Sequence, residues 1–356
     1  MAPTPDPRRR ILPFTEWPNA DRTAWESMTR KAGLFENPVP AASWRPATSL
    51  KHKKAYGRWL GDLERRDSGA LHLEPAARIT EERVEAYLVE LQSLGLASRT
   101  LLNYAVTLLV MAKGHAPGQD WSWLETVVRR LQADAKPVRS VTARLRPVDE
   151  IFRAALGEMA AAETRKPRLP TDQSSWFRDA LMIAILASRA LRLKELWQIR
   201  LEEHLIREED CYRLRFRADE IKTGKAYDAY LPRALTPYIE RYLADHRPRL
   251  LQGADTVAMW ISNQGKSMHI ASIAKQIRAL TKRLFGIVIN PHTFRQATAT
   301  SKAYADPKNI HDLASVLHHT TPRTSERHYN MTGSLIASRS HVATVLKRSA
   351  KLKHLR

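Results

Sequence analysis

Three short runs near the end of the chain carry side chains that could do chemistry together: Pro291-His292-Thr293-Phe294-Arg295, Leu317-His318-His319 and Arg327-His328-Tyr329. A phenol has a pKa of about 10, so Tyr329 becomes a nucleophile at neutral pH only beside a base or dense positive charge, and the neighbouring imidazoles and guanidiniums are of those types. Asn290 and Pro291 make a helix start, a cap residue followed by proline in the first turn, which puts His292 and Arg295 three apart on one face. The run from Pro307 to Leu317 spaces Ile310, Leu313, Ala314 and Leu317 as the buried side of a helix and delivers His318 and His319 at its end. Taken singly, each motif has a bland explanation in capping or packing. Their order, together with Arg192, Glu195 and Lys222 upstream, carries the meaning.

The upstream residues sit on elements that the pattern predicts. Phe177 to Ile199 is strongly apolar and reads as a buried helix through Leu181, Ile183, Ala184, Ile185 and Leu186, with Arg192 following it. A guanidinium there needs a partner, because an unpaired buried charge is costly, and Glu195 lies three residues on. A structural ion pair is the bland reading, and Arg189 competes for the same role. Cys211 to Phe216 and Ala226 to Leu231 alternate apolar and polar residues as two strands, with Ile221-Lys222-Thr223-Gly224-Lys225 at the hairpin tip. A tip lysine is commonly just solvated; Lys222 or Lys225 could instead place an ammonium beside a phosphate in a DNA groove. Gly265-Lys266-Ser267 resembles the end of a nucleotide-binding loop, but the first glycine would fall at 260, which is Trp260, so no ATP site is read. Ile270 to Leu284 forms an amphipathic basic helix leading to the His292 run.

Charge names the class of partner. Lys and Arg number 58 against 37 acids, a net of +21, and residues 141–356 hold 37 of the bases and 21 of the acids, +16 of that excess. A protein this cationic meets a polyanion, and nucleic acid fits better than membrane, since no run of 18 apolar residues exists. Cys211 is the only cysteine, which rules out an intramolecular disulfide. Arg8-Arg9-Arg10 precedes a broken apolar run with no signal-peptide core, so the expected location is the cytosol. His311, His318 and His319 share helical spacing but lack a carboxylate or thiol partner, so no metal is expected.

In chain order, 1–46 holds eight of the twenty prolines and reads as an extended or loosely docked arm without long helices. Residues 47–135 read as four short helices: one through Tyr56, Trp59, Leu60 and Leu63, a second after Thr80, a third from Ser98 to Gly114 and a fourth from Trp121 to Asp134. Lys51, Lys53, Lys54 and Arg58 on the first, and Arg99 heading the third, are candidates to track phosphates. Residues 136–146, with Arg139, Arg144 and Arg146, read as a basic linker able to lie along a duplex. A second domain spans 147–333, and 334–356 is a basic tail carrying a final helix. The expected class is mainly α with a small β-hairpin.

Arg192 with Glu195, Lys222 on a hairpin, His292-x-x-Arg295, His319 and Tyr329 occur in the order that defines tyrosine recombinases, and from about Thr48 to its end the chain resembles that family of phage integrase-like, site-specific enzymes. The resemblance implies a helical, SAM-like core-binding domain and a mixed α+β catalytic domain that clamp DNA from opposite sides. It implies strand cleavage through a 3′ phosphotyrosine without metal, ATP or other cofactor, on a double-stranded site with inverted repeats. A monomer or weak oligomer in solution would assemble as a dimer or tetramer on DNA, with the tail packing on a neighbour. Carried over, Arg192 and Arg295 grip the scissile phosphate, Lys222 protonates the leaving 5′ oxygen, and His292 is the base. His319 hydrogen-bonds a phosphate oxygen, Glu195 holds the site, and Tyr329 attacks. Departures are Arg189-Ala190-Leu191-Arg192 for the usual Thr-Gly-Leu-Arg, His318 where glycine is common, and Gln296 where a second histidine is frequent; Lys225 remains a second contact. A DNA-binding protein of the same fold that does not cut, or a type IB topoisomerase-like enzyme, is the alternative.

Overall fold

The structure, a computed structural model, describes residues 6–31, 33, 40–135 and 145–305. The chain divides into two compact units, Met1–Arg139 and Ser140–Arg356, each with its own apolar core.

The first unit contains α1 (Asn19–Thr29), α2 (Pro46–Arg66), α3 (Glu81–Ser93), α4 (Ser98–His115) and α5 (Ser122–Asp134). Its centre is the apolar stripe of α2, where Tyr56, Trp59, Leu60 and Leu63 are all 1% exposed or less. Thr80 caps α3 by accepting a hydrogen bond from Arg83 N, the role its side chain is suited to.

Residues 6–31 correct the expectation of an extended or loosely docked arm. Leu12, Trp17, Trp25 and Met28 are buried in this core, and α1 runs for eleven residues. The prolines stand at or before the starts of elements, with Pro13 and Pro18 flanking a short turn, Pro18 at the cap of α1 and Pro46 opening α2. Proline density forbids helix only where proline falls inside it. The chain crosses α2 at Gly57, whose carbonyl accepts from Leu12 N at 2.9 Å; a Cβ at Gly57 would lie 2.4 Å from the Leu12 carbonyl oxygen. Two aromatic edges complete the dock, Trp17 against Tyr56 at 5.2 Å and against Trp25 at 5.6 Å between centroids.

A buried ionic group ties α1 to this core. Asp21 accepts from Tyr56 Oη at 2.7 Å and pairs with Arg78, whose remaining donors go to the Leu71 and Leu73 carbonyls. All three side chains are essentially inaccessible. Replacing Asp21 by alanine strands the Arg78 charge, and the expected cost is about 3–5 kcal/mol. Six of the nine tryptophans (17, 25, 44, 59, 121 and 123) lie in this unit, so a lower urea midpoint of the tryptophan fluorescence transition is the measurement; an unmoved midpoint rejects it.

The second unit contains α6 (Val148–Thr164), α7 (Asp172–Ser188), α8 (Leu193–Trp197), β1 (Leu205–Glu208), β2 (Cys211–Phe216), β3 (Tyr227–Tyr230), α9 (Thr236–Arg241), α10 (Arg247–Leu251), α11 (Ile270–Phe285) and α12 (Pro291–Ala305). The strands form one antiparallel sheet, β1-β2-β3, with Leu205 opposite Leu214 and Phe216 opposite Tyr227. This is the mainly helical class with a small sheet that the sequence implied. Beyond the hairpin it adds β1, whose Leu205-Ile206-Arg207-Glu208 does not alternate apolar and polar residues.

Helix α7 is the axle of this core: from Phe177 to Ala187 every residue is buried, which explains a run from Ala180 to Ala187 that is apolar all round, and the two charges before it, Arg178 and Asp179, pair with each other at 2.7 Å. The apolar run to Ile199 is not one helix. After Ser188 the backbone turns extended, with Arg189 at φ −135° and Arg192 at φ −75°, ψ 155°, before α8 restarts. Asp149 and Glu150 occupy the first turn of α6, where the helix dipole favours acids. Helix α11 covers Ile270–Phe285 and buries Ile273, Ile277 and Leu280. No described helix is long and apolar enough to cross a membrane.

Candidate active site

The break between α7 and α8 exposes a cation instead of burying it in a continuous helix. Arg192 stands at the N-cap of α8, and Glu195 in the first turn accepts from Arg192 N at 2.7 Å, the returning half of a capping box. The same carboxylate accepts from Arg192 Nη1, also at 2.7 Å, while 22% of the Arg192 side chain stays accessible against 4% of Glu195. Glu195 thus fixes backbone and guanidinium together and leaves part of the arginine facing out. Arg189, the rival, is spent on structure, donating to the Ser188 and Tyr230 carbonyls to tie the end of α7 to β3.

Helix α12 brings the second cation. Thr293 N donates to Asn290 O at 2.8 Å at its start, and Arg295, 5% exposed, donates to the Ala190 carbonyl within the Arg189–Arg192 turn. Burial, and then the neighbouring Arg192 charge, push the Arg295 guanidinium down to about 10, partly offset by Glu195. It stays protonated at neutral pH, so the fold tolerates two adjacent cations with one carboxylate between them.

His292, one turn earlier on α12, has its pKa lowered by partial burial, then by the charges of Arg295, Arg192 and Lys222. Lys222 is exposed on the β2–β3 loop, and it is the tip lysine whose charge is felt at His292. Lys225 is also exposed but is not among the charges acting there. The structure therefore brings together Arg192, Glu195, Lys222, His292 and Arg295, residues separated by up to 103 positions. His318, His319 and Tyr329 lie outside the described residues, as do Arg139, Arg144 and the tail.

One neighbour went unread in the sequence. Tyr227, first residue of β3 and 4% exposed, has its phenol pushed up to about 12 by burial, and its surroundings include Arg189, Glu195 and Arg295. The signal was the inward phase of the second strand, which marks Tyr227 as core without saying which core residues border a cation.

Of the proposed phosphate-tracking residues, Lys54, Arg99 and Arg146 are exposed, and Lys51 is exposed while donating to Asn103 Oδ1 at 3.2 Å. Lys53 packs its ammonium 3.8 Å from the centre of the Phe14 ring. Arg58 is corrected: it is 6% exposed, donates to the Arg8 carbonyl at 3.1 Å and lies over the Tyr104 ring, so it serves the core. Helical phase places it beside Lys54, but the docked N-terminal segment covers it.

The arrangement suits an anion with several oxygens and a poor leaving group: charge from two guanidiniums, an ammonium, and an imidazole whose depressed pKa keeps it a free base. Solved structures share the fold. The XerH site-specific recombinase bound to a palindromic difH substrate in a post-cleavage complex aligns at TM-score 0.56 and 13% identity, over 94% of this chain and 100% of that one. The XerH pre-cleavage complex with difH aligns at 0.55 and 15% identity, over 82% and 79%. No curated protein sequence matches the chain. Residues 159–333 match the model of the phage integrase family, and this stretch contains the cluster built from the α7–α8 turn, the β2–β3 loop and α12. Residues 159–333 thus carry the pattern of the phage integrase family, and the fold is that of the solved site-specific recombinases.

Proposed function

We propose that this protein is a site-specific DNA recombinase that cuts and rejoins strands through a phosphotyrosine intermediate. The observation that carries the reading is the meeting of Arg192, Arg295, His292 and Lys222, with Glu195 the one carboxylate among the described charges acting on His292 and Arg295. Such a site is short of negative charge, and a bound phosphodiester supplies it.

The chemistry follows from the groups. The Tyr329 oxygen attacks the scissile phosphorus as its proton passes to His292, and the bond from phosphorus to the 5′ oxygen breaks. Lys222 gives that oxygen a proton, leaving a 3′ phosphotyrosine and a 5′ hydroxyl. Arg192 and Arg295 hold the non-bridging oxygens as charge builds, assisted by His319, and Glu195 keeps Arg192 in position. A phosphodiester is weakly electrophilic, so most of the acceleration comes from this placement of charge. The tyrosyl ester conserves the bond energy, and a 5′ hydroxyl from a partner duplex reverses the step; neither nucleotide hydrolysis nor a cofactor is required. The partner is double-stranded DNA bearing inverted repeats, engaged by protomers that assemble on it as a dimer or tetramer, in the cytosol.

Incubation with a nicked suicide duplex tests the reading: the short 5′ fragment diffuses away and a denaturation-resistant protein–DNA adduct remains. Tight binding with no adduct leaves the non-cutting alternative standing. The state of His292 adds a pH test. Burial and the neighbouring cations lower its pKa from the ordinary imidazole value, so the ring is held as a free base at neutrality and protonates on acidification. The adduct-forming rate should therefore hold through neutrality and fall on acidification, and that acid limb should vanish in His292→Gln. An acid limb that persists in His292→Gln contradicts the role.

A further inference from the structure

The β2–β3 loop spans 217–226, and a segment of that length carrying a flexible lysine has no fixed height of its own. Two anchors set it. Ile221, beside Lys222, is 3% exposed and plugs into the core, with Gly224 N donating back to Ile221 O at 3.0 Å in a turn that places Gly224 at φ +69°. Glu220, the next residue back, accepts from Arg217 N at 2.7 Å and from His204 Nε2 at 3.0 Å. His204 comes just before β1, is 3% exposed, stacks on Phe216 at 4.9 Å between centroids, and accepts a hydrogen bond from Arg200 N on Nδ1 at 3.1 Å. Its carbonyl accepts from Arg215 N on β2 at 2.9 Å.

These bonds settle what the cluster is. Glu203, His204 and Glu220 bring their ligand atoms within 4.8 Å of one another, a grouping that could hold a cation. Because Nδ1 accepts a hydrogen bond from a backbone N–H, the neutral ring carries its own proton on Nε2, facing Glu220. A metal at Nε2 would require an imidazole stripped of both protons. The carboxylates also already face Arg200 and Arg217, at 3.3 Å for each closest pair. The cluster is a hydrogen-bonded clamp.

We propose that the His204–Glu220 clamp is a positioning device for Lys222, holding the loop where the ammonium meets the leaving 5′ oxygen. This rests on the assignment of Lys222 as proton donor. Both clamp residues act through the loop and touch no substrate.

The test uses the full-length protein and two nicked suicide duplexes, one with the ordinary bridging 5′ oxygen and one with sulfur in its place, which leaves as thiolate without a proton. On oxygen, Lys222→Ala should lose about 100-fold or more in the adduct-forming rate and regain nearly all of it on sulfur. Glu220→Ala should lose about 10-fold on oxygen, as a misplaced rather than missing donor, and match the wild-type rate on sulfur. Glu220→Gln, which keeps an acceptor oxygen, should recover most of the oxygen rate. His204→Ala is measured beside it, so that a fold defect in one variant does not decide the matter, and DNA affinity is expected to stay unchanged. Clamp variants that match wild type on both duplexes, or are equally slow on both, overturn the proposal; the second pattern is that of a merely structural pair. If Lys222→Ala itself is not rescued by sulfur, the proton-donor assignment falls first, and the clamp's purpose with it.

Discussion

Arg295→Ala is expected to slow covalent adduct formation on a nicked suicide duplex by about 100- to 1000-fold, the usual consequence of deleting one donor that meets transition-state charge. The structure separates this from loss of a structural arginine. Arg295 is 5% exposed, its guanidinium is held down to about 10 by burial and the neighbouring Arg192 charge, and its bond to the Ala190 carbonyl recovers part of that cost. A side chain kept for stability would not be buried beside a like charge. Arg295→Met, which fills similar space without charge, should therefore hold or raise the melting temperature while losing the same rate. Arg295→Lys keeps the charge but loses the planar fork that matches two phosphate oxygens, so it should fall between. Cleavage by Arg295→Ala within about threefold of wild type would remove this residue from the chemistry.

Tyr329→Phe is expected to abolish the adduct altogether. The change removes one oxygen, the atom that would bond to phosphorus, and neither charge stabilisation nor proton transfer can replace a missing nucleophile. Affinity for the duplex should be preserved, because a phenyl ring fills the same space and the phosphate contacts come from other groups. A gel-shift assay and a denaturing gel on the same samples thus separate binding from chemistry. The competing nucleophile is Tyr304, in the last turn of α12. An adduct that persists in Tyr329→Phe and disappears in Tyr304→Phe reassigns the attack, and one that persists in both ends the phosphotyrosine reading.

The sequence was informative where a residue's role depends on near neighbours in the chain. The spacing of His292 and Arg295, the pairing of Arg192 with Glu195, the hairpin that presents Lys222 and the apolar stripes of α2 and α11 follow from helical and strand periods, which are local properties. The order of the cluster was legible for the same reason, and with it the family. Tertiary structure decided whatever depends on segments far apart. Proline content pointed to an arm at residues 1–46, but the tryptophans between the prolines had a core to enter, which only the packed unit displays. Arg58 has the helical phase of a DNA-facing residue and is covered by a segment some fifty positions away in the chain. The different surroundings of Arg189 and Arg192 come from a break in the backbone after Ser188 and a β3 carbonyl that takes up Arg189. Lys222 and Lys225 are equivalent as tip residues; the proximity of one of them to His292 on α12 distinguishes them. Desolvation and charge act through space and not along the chain, so the cations' convergence on one spot, and the clamp beneath one of them, had no signature in residue spacing.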